Sequence, residues 1–191
     1  MTRRLLLATL LSGPALALGG AQEDELSQLM RSLAAVRERR DRFTEERAIP
    51  ELDLPLPNEG TLSWSAPDTL EKHTLSPIDE RLSVSGDRLI YERRDRDFRR
   101  EFSLADQPEM QALVEAIRGT LAGDLAALRR HYEVEFEGSH TGSWRLILRP
   151  TSFRVRASVQ RILVTGQAAQ PTGVDTEGNG SVTRMRIRPA S

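Results

Sequence analysis

The sequence predicts an α+β fold, a strongly curved antiparallel sheet or unclosed β-barrel covered by amphipathic helices. Three observations predict it. Several segments alternate apolar with polar residues, two stretches carry apolar residues at helical spacing, and Pro and Gly punctuate the short segments between them. A sheet with one dry and one wet face has to shield the dry one, by curling on itself or by taking helices over it. The two helical stretches are available as that cover.

The chain opens with Arg3 and Arg4, an apolar run from Leu5 to Leu11 that resumes at Ala15 to Leu18, and the small residues Gly19, Gly20 and Ala21. That order is the pattern of a secretory signal peptide spanning 1–21, with cleavage near Ala21 and export to the periplasm. Ser12, Gly13 and Pro14 interrupt the run and leave it shorter than the roughly 20 residues of a membrane span. Residues 22–191 then read as one domain. Loss of the leader removes two arginines and no acid, taking the formal charge from −1 to −3. This mildly acidic balance argues against nucleic acid, whose phosphates select a clear excess of Lys and Arg. The chain has no cysteine, so disulfides, thiolate metal sites and a cysteine-borne lipid anchor are excluded. A monomer is expected.

Leu26, Leu29, Met30, Leu33 and Val36 place one apolar stripe on a helix from about Asp24 to Arg40, with Arg37 to Arg42 as a solvated, mixed-charge tail. From Phe43 the period moves toward two. Leu62, Trp64 and Ala66 alternate with Thr61, Ser63 and Ser65, Leu82 and Val84 alternate with Ser83 and Ser85, and Gly86-Asp87 turns the chain into Leu89 to Glu92. Helical spacing returns from Asp106 to Arg130, with Asp106 and Glu109 at capping-box spacing and Gly119 and Gly123 placed to bend or divide the helix. Strong alternation follows in Tyr132, Val134 and Phe136, in Trp144, Leu146 and Leu148, in Phe153, Val155, Ala157 and Val159, and in Met185 and Ile187.

In this order the features resemble the LolA family, periplasmic carriers of outer-membrane lipoproteins. The resemblance rests on the helix leading into Arg42-Phe43-Thr44-Glu45-Glu46, the strand Gly60-Thr61-Leu62-Ser63-Trp64-Ser65-Ala66-Pro67, and Pro77 leading to a strand and Ser85-Gly86-Asp87. The central helical segment, Tyr132-Glu133-Val134, Trp144 to Pro150 and the final strand pair complete it. It implies an apolar cavity for the acyl chains of a lipoprotein or lipid, a helical lid, and exchange between inner-membrane export machinery and an outer-membrane acceptor. The chain departs from the family in lacking a Phe-rich, Pro-Gly-containing tail and in an aromatic content of only 5%. An accessory protein of a lipid or acylated-pigment export system is therefore an alternative, as is a periplasmic interaction module that carries nothing.

On this resemblance the candidates for the cavity lining are Leu62, Trp64, Leu82, Val84, Tyr132, Val134, Phe136, Trp144, Leu146 and Leu148. Alternation alone does not separate a hollow barrel from a filled one. The candidate lid is the segment with Met110, Leu113, Ile117, Leu121 and Leu125. No enzyme activity, cofactor or metal is expected. Ser139-His140 reads as a hairpin loop, His131 as the end of a helix, and His73 as a solvated residue on a polar strand edge. Asp175 to Gly180 falls short of a calcium-loop template and reads as a turn. The run Arg93 to Glu101 reads as a solvated loop or edge strand, with anion recognition as its functional alternative, and Phe98 and Phe102 suit either one helical or one strand face.

Overall fold

The computed structural model describes residues 15–48 and 57–190. The first part of the leader lies outside the described residues. Helix α1 (Ala15–Ala34) precedes strands β1 (Glu38–Ala48), β2 (Asn58–Ser65), β3 (Thr69–Ser76), β4 (Glu80–Ser85), β5 (Arg88–Arg93) and β6 (Phe98–Ser103). Helices α2 (Pro108–Leu121) and α3 (Leu125–His131) follow, then β7 (Tyr132–Gly138), β8 (Ser143–Pro150), the short α4 (Phe153–Arg156), β9 (Arg161–Gln167), β10 (Gln170–Gly178) and β11 (Ser181–Pro189).

The strands form one antiparallel sheet of 11, ordered β6-β5-β4-β3-β2-β1-β11-β10-β9-β8-β7. β6 and β7 are its two edges, so the barrel is unclosed. β1 joins the halves, pairing β2 on one side, where Phe43 faces Gly60, and β11 on the other, where Phe43 faces Ile187. Register shifts at Glu59/Gly60 and at Pro171/Gly173 flank this centre and supply local bending. At Gly60 the neighbouring backbone comes so close that a Cβ would lie 2.0 Å from the His73 carbonyl oxygen. A side chain there would push β3 away.

The apolar stripe of α1 does pack against the sheet: Leu26, Leu29, Met30 and Leu33 join Leu146, Leu148 and Ile162, all three of which are 0% exposed. Burial of one such side chain stabilises by about 1.5–3 kcal/mol. A smaller cluster joins Val84 and Leu89 to Leu104 and Val114, and a third joins Phe43, Met185 and Ile187.

Several expectations change. The first helix ends at Ala34, and Arg39 to Arg42, expected in its solvated tail, belong to β1. Two-sided pairing decides this, because β1 bonds to β2 from Glu38 onward and buries Asp41 and Phe43 on alternate positions. Phe153 to Val159 is not a strand. Val155 and Val159 are buried at helical i, i+4 spacing in α4 and its exit, while Phe153 is 83% exposed. Asp106 does not cap α2; Gln107 occupies that position without a side-chain cap, and Asp106 lies in the preceding 3-10 turn. Asp175 to Gly178 continues β10, and the turn is Asn179-Gly180, both at positive φ. His73 is in an interior strand and its Nε2 meets Asp79 Oδ1 at 2.8 Å.

Candidate functional site

Helix α2 has two apolar faces of different size. Ala112, Ala116 and Gly119 form a small one, against which Leu128 of α3 and the α1 core pack closely. Met110, Leu113, Val114, Ile117 and Leu121 form a large one on the other side of the helix, at i, i+3, i+4, i+7 and i+11. The large face closes a cavity of about 310 Å³ over β1 to β4 and β9 to β11. That volume lies at the lower end of the roughly 300–1,000 Å³ typical of ligand pockets. A second cavity of about 310 Å³ continues it toward Leu89, Tyr91 and Phe102, with Lys72, Leu82 and Met110 in both walls. Together they make one groove beneath α2.

The wall of the first cavity is mainly apolar; its charged side chains come from β1 and β3, and Ser63, Thr120, Thr176 and Thr183 add hydroxyls. Lys72, the one lysine of the chain, meets Glu45 Oε1 at 2.7 Å and stands 5.0 Å from the centre of the Phe43 ring. Arg39 donates from Nη1 to Gln170 Oε1 and from Nη2 to the Ala169 carbonyl, each at 2.6 Å. Asp41, 4% exposed, accepts from Gln170 Nε2 at 3.3 Å. Burial raises its carboxyl above the ordinary value, against the pull of Arg39, and burial likewise lowers the Arg39 guanidinium.

Hydrogen bonds at its margins hold α2 in place. The buried Tyr132 hydroxyl donates to the Ala112 carbonyl, Arg118 Nη2 donates to the Gly86 carbonyl at 2.7 Å, and Ser158 donates to Glu109 at 2.6 Å. Burial pushes the Tyr132 phenol upward, which keeps it a donor. Gly123, at φ +64, ends the α2 segment where α1 passes; a Cβ would lie 2.1 Å from the Met30 carbonyl oxygen.

Of the ten expected lining residues, Leu62, Trp64, Leu82 and Val84 line the cavity. Tyr132, Val134, Phe136, Trp144, Leu146 and Leu148 do not; they lie in the packed cluster beneath α1, whose side chains occupy the space over β7 and β8. Of the lid residues, Met110, Leu113, Ile117 and Leu121 line the cavity, whereas Leu125 sits on α3 against that same packed cluster. Sequence reasoning missed Arg39, Asp41, Glu45 and Lys72. Extending the two-residue period in both directions from Phe43 puts 39, 41 and 45 on its face, a signal hidden by the charge of the run.

Among the described residues the histidines form no nucleophile–base pair. His140 donates its backbone N–H to Glu25 and meets the same carboxylate through Nδ1, each at 2.8 Å, while Ser139 Oγ meets Thr141 Oγ1 at 3.2 Å. Among the described residues no three metal-ligating side chains come together, and no helix is long and apolar enough to cross a membrane. The arginine run forms a 3-10 turn, Arg94–Arg96, and the edge strand β6, with Arg99 on Glu92 at 2.6 Å. Phe98 and Phe102 share one strand face.

The family model described as outer membrane lipoprotein carrier protein LolA-like matches residues 19–186. The chain belongs to the LolA-like family. Curated proteins yield no significant match to this LolA-like chain. Solved structures similar to it include a DUF1329 family protein from Desulfovibrio piger, 10% identical over 89% of this chain and 92% of that one, with a TM-score of 0.49. A LolA superfamily protein from Nitrosomonas europaea is 10% identical over 89% and 94%, at 0.45. The Mycobacterium tuberculosis lipoprotein LppX is 7% identical over 88% and 98%, at 0.40. Each is a distant likeness, below the level at which residues carry across.

Proposed function

We propose that this LolA-like protein is an exported, non-enzymatic carrier that holds an acyl chain of a lipoprotein or lipid in the groove beneath α2 and hands it on toward the outer membrane. The observation that carries the reading is the groove itself, roofed by the large face of α2 and walled by Leu62, Leu82, Val84, Met185 and Ile187. Every methylene that enters it gains about 0.8 kcal/mol, so a chain of several carbons offsets the apolar contacts α2 gives up on moving aside. The glycine joint at Gly123 is the hinge about which α2 swings.

Ile117→Glu tests the reading by placing a charge on the roof of the groove, at a half-buried position. Affinity for a fluorescent fatty-acid probe is expected to fall tenfold or more while the circular dichroism of the sheet persists. A folded variant with unaltered affinity overturns the reading. Native mass spectrometry of protein recovered from cells should in addition show acyl-containing mass.

A further inference from the structure

Arg39 and Trp64 stand directly opposite each other where β1 pairs with β2, and both line the groove. Trp64 is 3% exposed. Its Nε1 and the Nε of Arg39 are buried N–H donors with no hydrogen-bond partner among the described residues. The remainder of the Arg39 guanidinium is engaged by Gln170 and the Ala169 carbonyl. The other tryptophan behaves in the usual way: Trp144 Nε1 donates to the Ala168 carbonyl at 2.7 Å. A buried donor without an acceptor has surrendered its hydration with nothing in return, and folded proteins keep few of them. Both nitrogens are closed to solvent with α2 in place, so an acceptor atom reaches these two facing positions only once the groove opens.

We infer that Trp64 Nε1 and Arg39 Nε form a binding site for the carbonyl oxygen of an ester- or amide-linked acyl group, with the hydrocarbon lying along the apolar wall. The inference rests on the acyl-binding reading above and adds where the head of the chain sits. Two features select this chemistry. The surrounding wall is mainly apolar, Leu62, Leu70, Val84 and Ile117 among its members, with Ser63 and Thr120 as neutral polar neighbours, so the molecule it takes is mainly hydrocarbon with a small polar group. The charged side chains of the wall have partners, Lys72 on Glu45, Glu71 on Arg81, and Arg39 on Gln170 and the Ala169 carbonyl, so a neutral oxygen fits where a carboxylate would add negative charge next to Asp41.

The two indoles give the test an internal control. In ¹H–¹⁵N spectra of the wild-type protein, monolauroylglycerol is expected to shift the Trp64 indole proton downfield and leave that of Trp144 in place. Dodecyltrimethylammonium, which has a chain of the same length and no acceptor, should produce no such shift. Trp64→Phe keeps a ring and removes the donor, and should lower the ratio of monolauroylglycerol affinity to dodecyltrimethylammonium affinity about fivefold, the worth of one ordinary hydrogen bond. If both ligands bind and the Trp64 signal responds to neither, or equally to both, the carbonyl site is wrong and the acyl groove stands. A larger shift with laurate than with the glycerol ester overturns the choice of a neutral oxygen. Failure of every ligand to bind removes the acyl reading and this site together.

Discussion

The two halves of the sheet carry the same alternation of apolar and polar residues and end in different states. Over β7 to β9, α1 presses Leu26, Leu29, Met30 and Leu33 into the sheet and leaves Leu146, Leu148 and Ile162 without exposure. Over β2 to β4, α2 meets the sheet at Val114 and Val84 but does not fill the space beside that contact, and Leu62, Leu82, Met110 and Ile117 keep partial exposure around a cavity of about 310 Å³. The difference lies in the helices. α2 spends its small face, Ala112 and Ala116, on close packing with its helical neighbours, which fixes its height above the sheet and leaves the large face to roof a gap. A hollow in this fold comes from how a helix is supported at its sides.

The largest effect that tests this comparison is a truncation in each half. Leu148→Ala removes a fully buried side chain and should cost about 2–5 kcal/mol in urea denaturation. Leu82→Ala, at the border of the groove, should cost less than half as much and weaken acyl binding instead. Equal losses of stability would erase the distinction between filled and hollow. A middle-sized effect is expected at the joint. Gly123→Ala forces an alanine into left-handed backbone and against the Met30 carbonyl, costing about 1–3 kcal/mol, and should loosen α1 from α2 together. Measured hydrogen exchange that rises in only one of the two helices would show that the joint does not couple them.

The smallest effect is a pair of opposite pH dependences. In the filled half, the His140 backbone N–H and ring lower the Glu25 carboxyl and stabilise its ionised form, binding α1 to the β7–β8 hairpin. That contribution is complete above about 4.3, the unfolded value, and fades as pH falls through the lowered folded value. In the hollow half, burial raises Asp41, so its contribution is complete below about 3.9 and is lost as pH rises through the raised folded value. Glu25→Gln should flatten the loss of stability on the acid side of the profile, and Asp41→Asn the loss that sets in as pH rises toward neutrality. The same sign of change from both variants would contradict these environments.

Much of the architecture was legible. β7 and β8 alternate cleanly from Tyr132 to Leu148, and Gly123 marks the break between α2 and α3. β9 and β10 were harder to see because glycines occupy inward positions there: at Gly166 a Cβ would lie 2.1 Å from the Trp144 ring, so the strand gives up a side chain to seat that ring. The charged start of β1 reads as a solvated helix tail until its pairing partners are known. In the site, Leu62, Leu82, Met110 and Ile117 were visible as apolar members of periodic segments, whereas Arg39, Asp41, Glu45 and Lys72 looked like ordinary surface charge.

Read alone, the order of residues determined which side of each strand is greasy, because successive side chains leave a strand on opposite faces whatever lies above it. It also determined that helices would be the cover. Only the assembled structure decided that α1 fills its half and α2 roofs a groove, since the height of a helix is set by the sizes of residues it meets from other parts of the chain. The same assembly put the indole of Trp64 and the guanidinium of Arg39 opposite each other. Their sequence separation hides that meeting, and backbone pairing between β1 and β2 creates it.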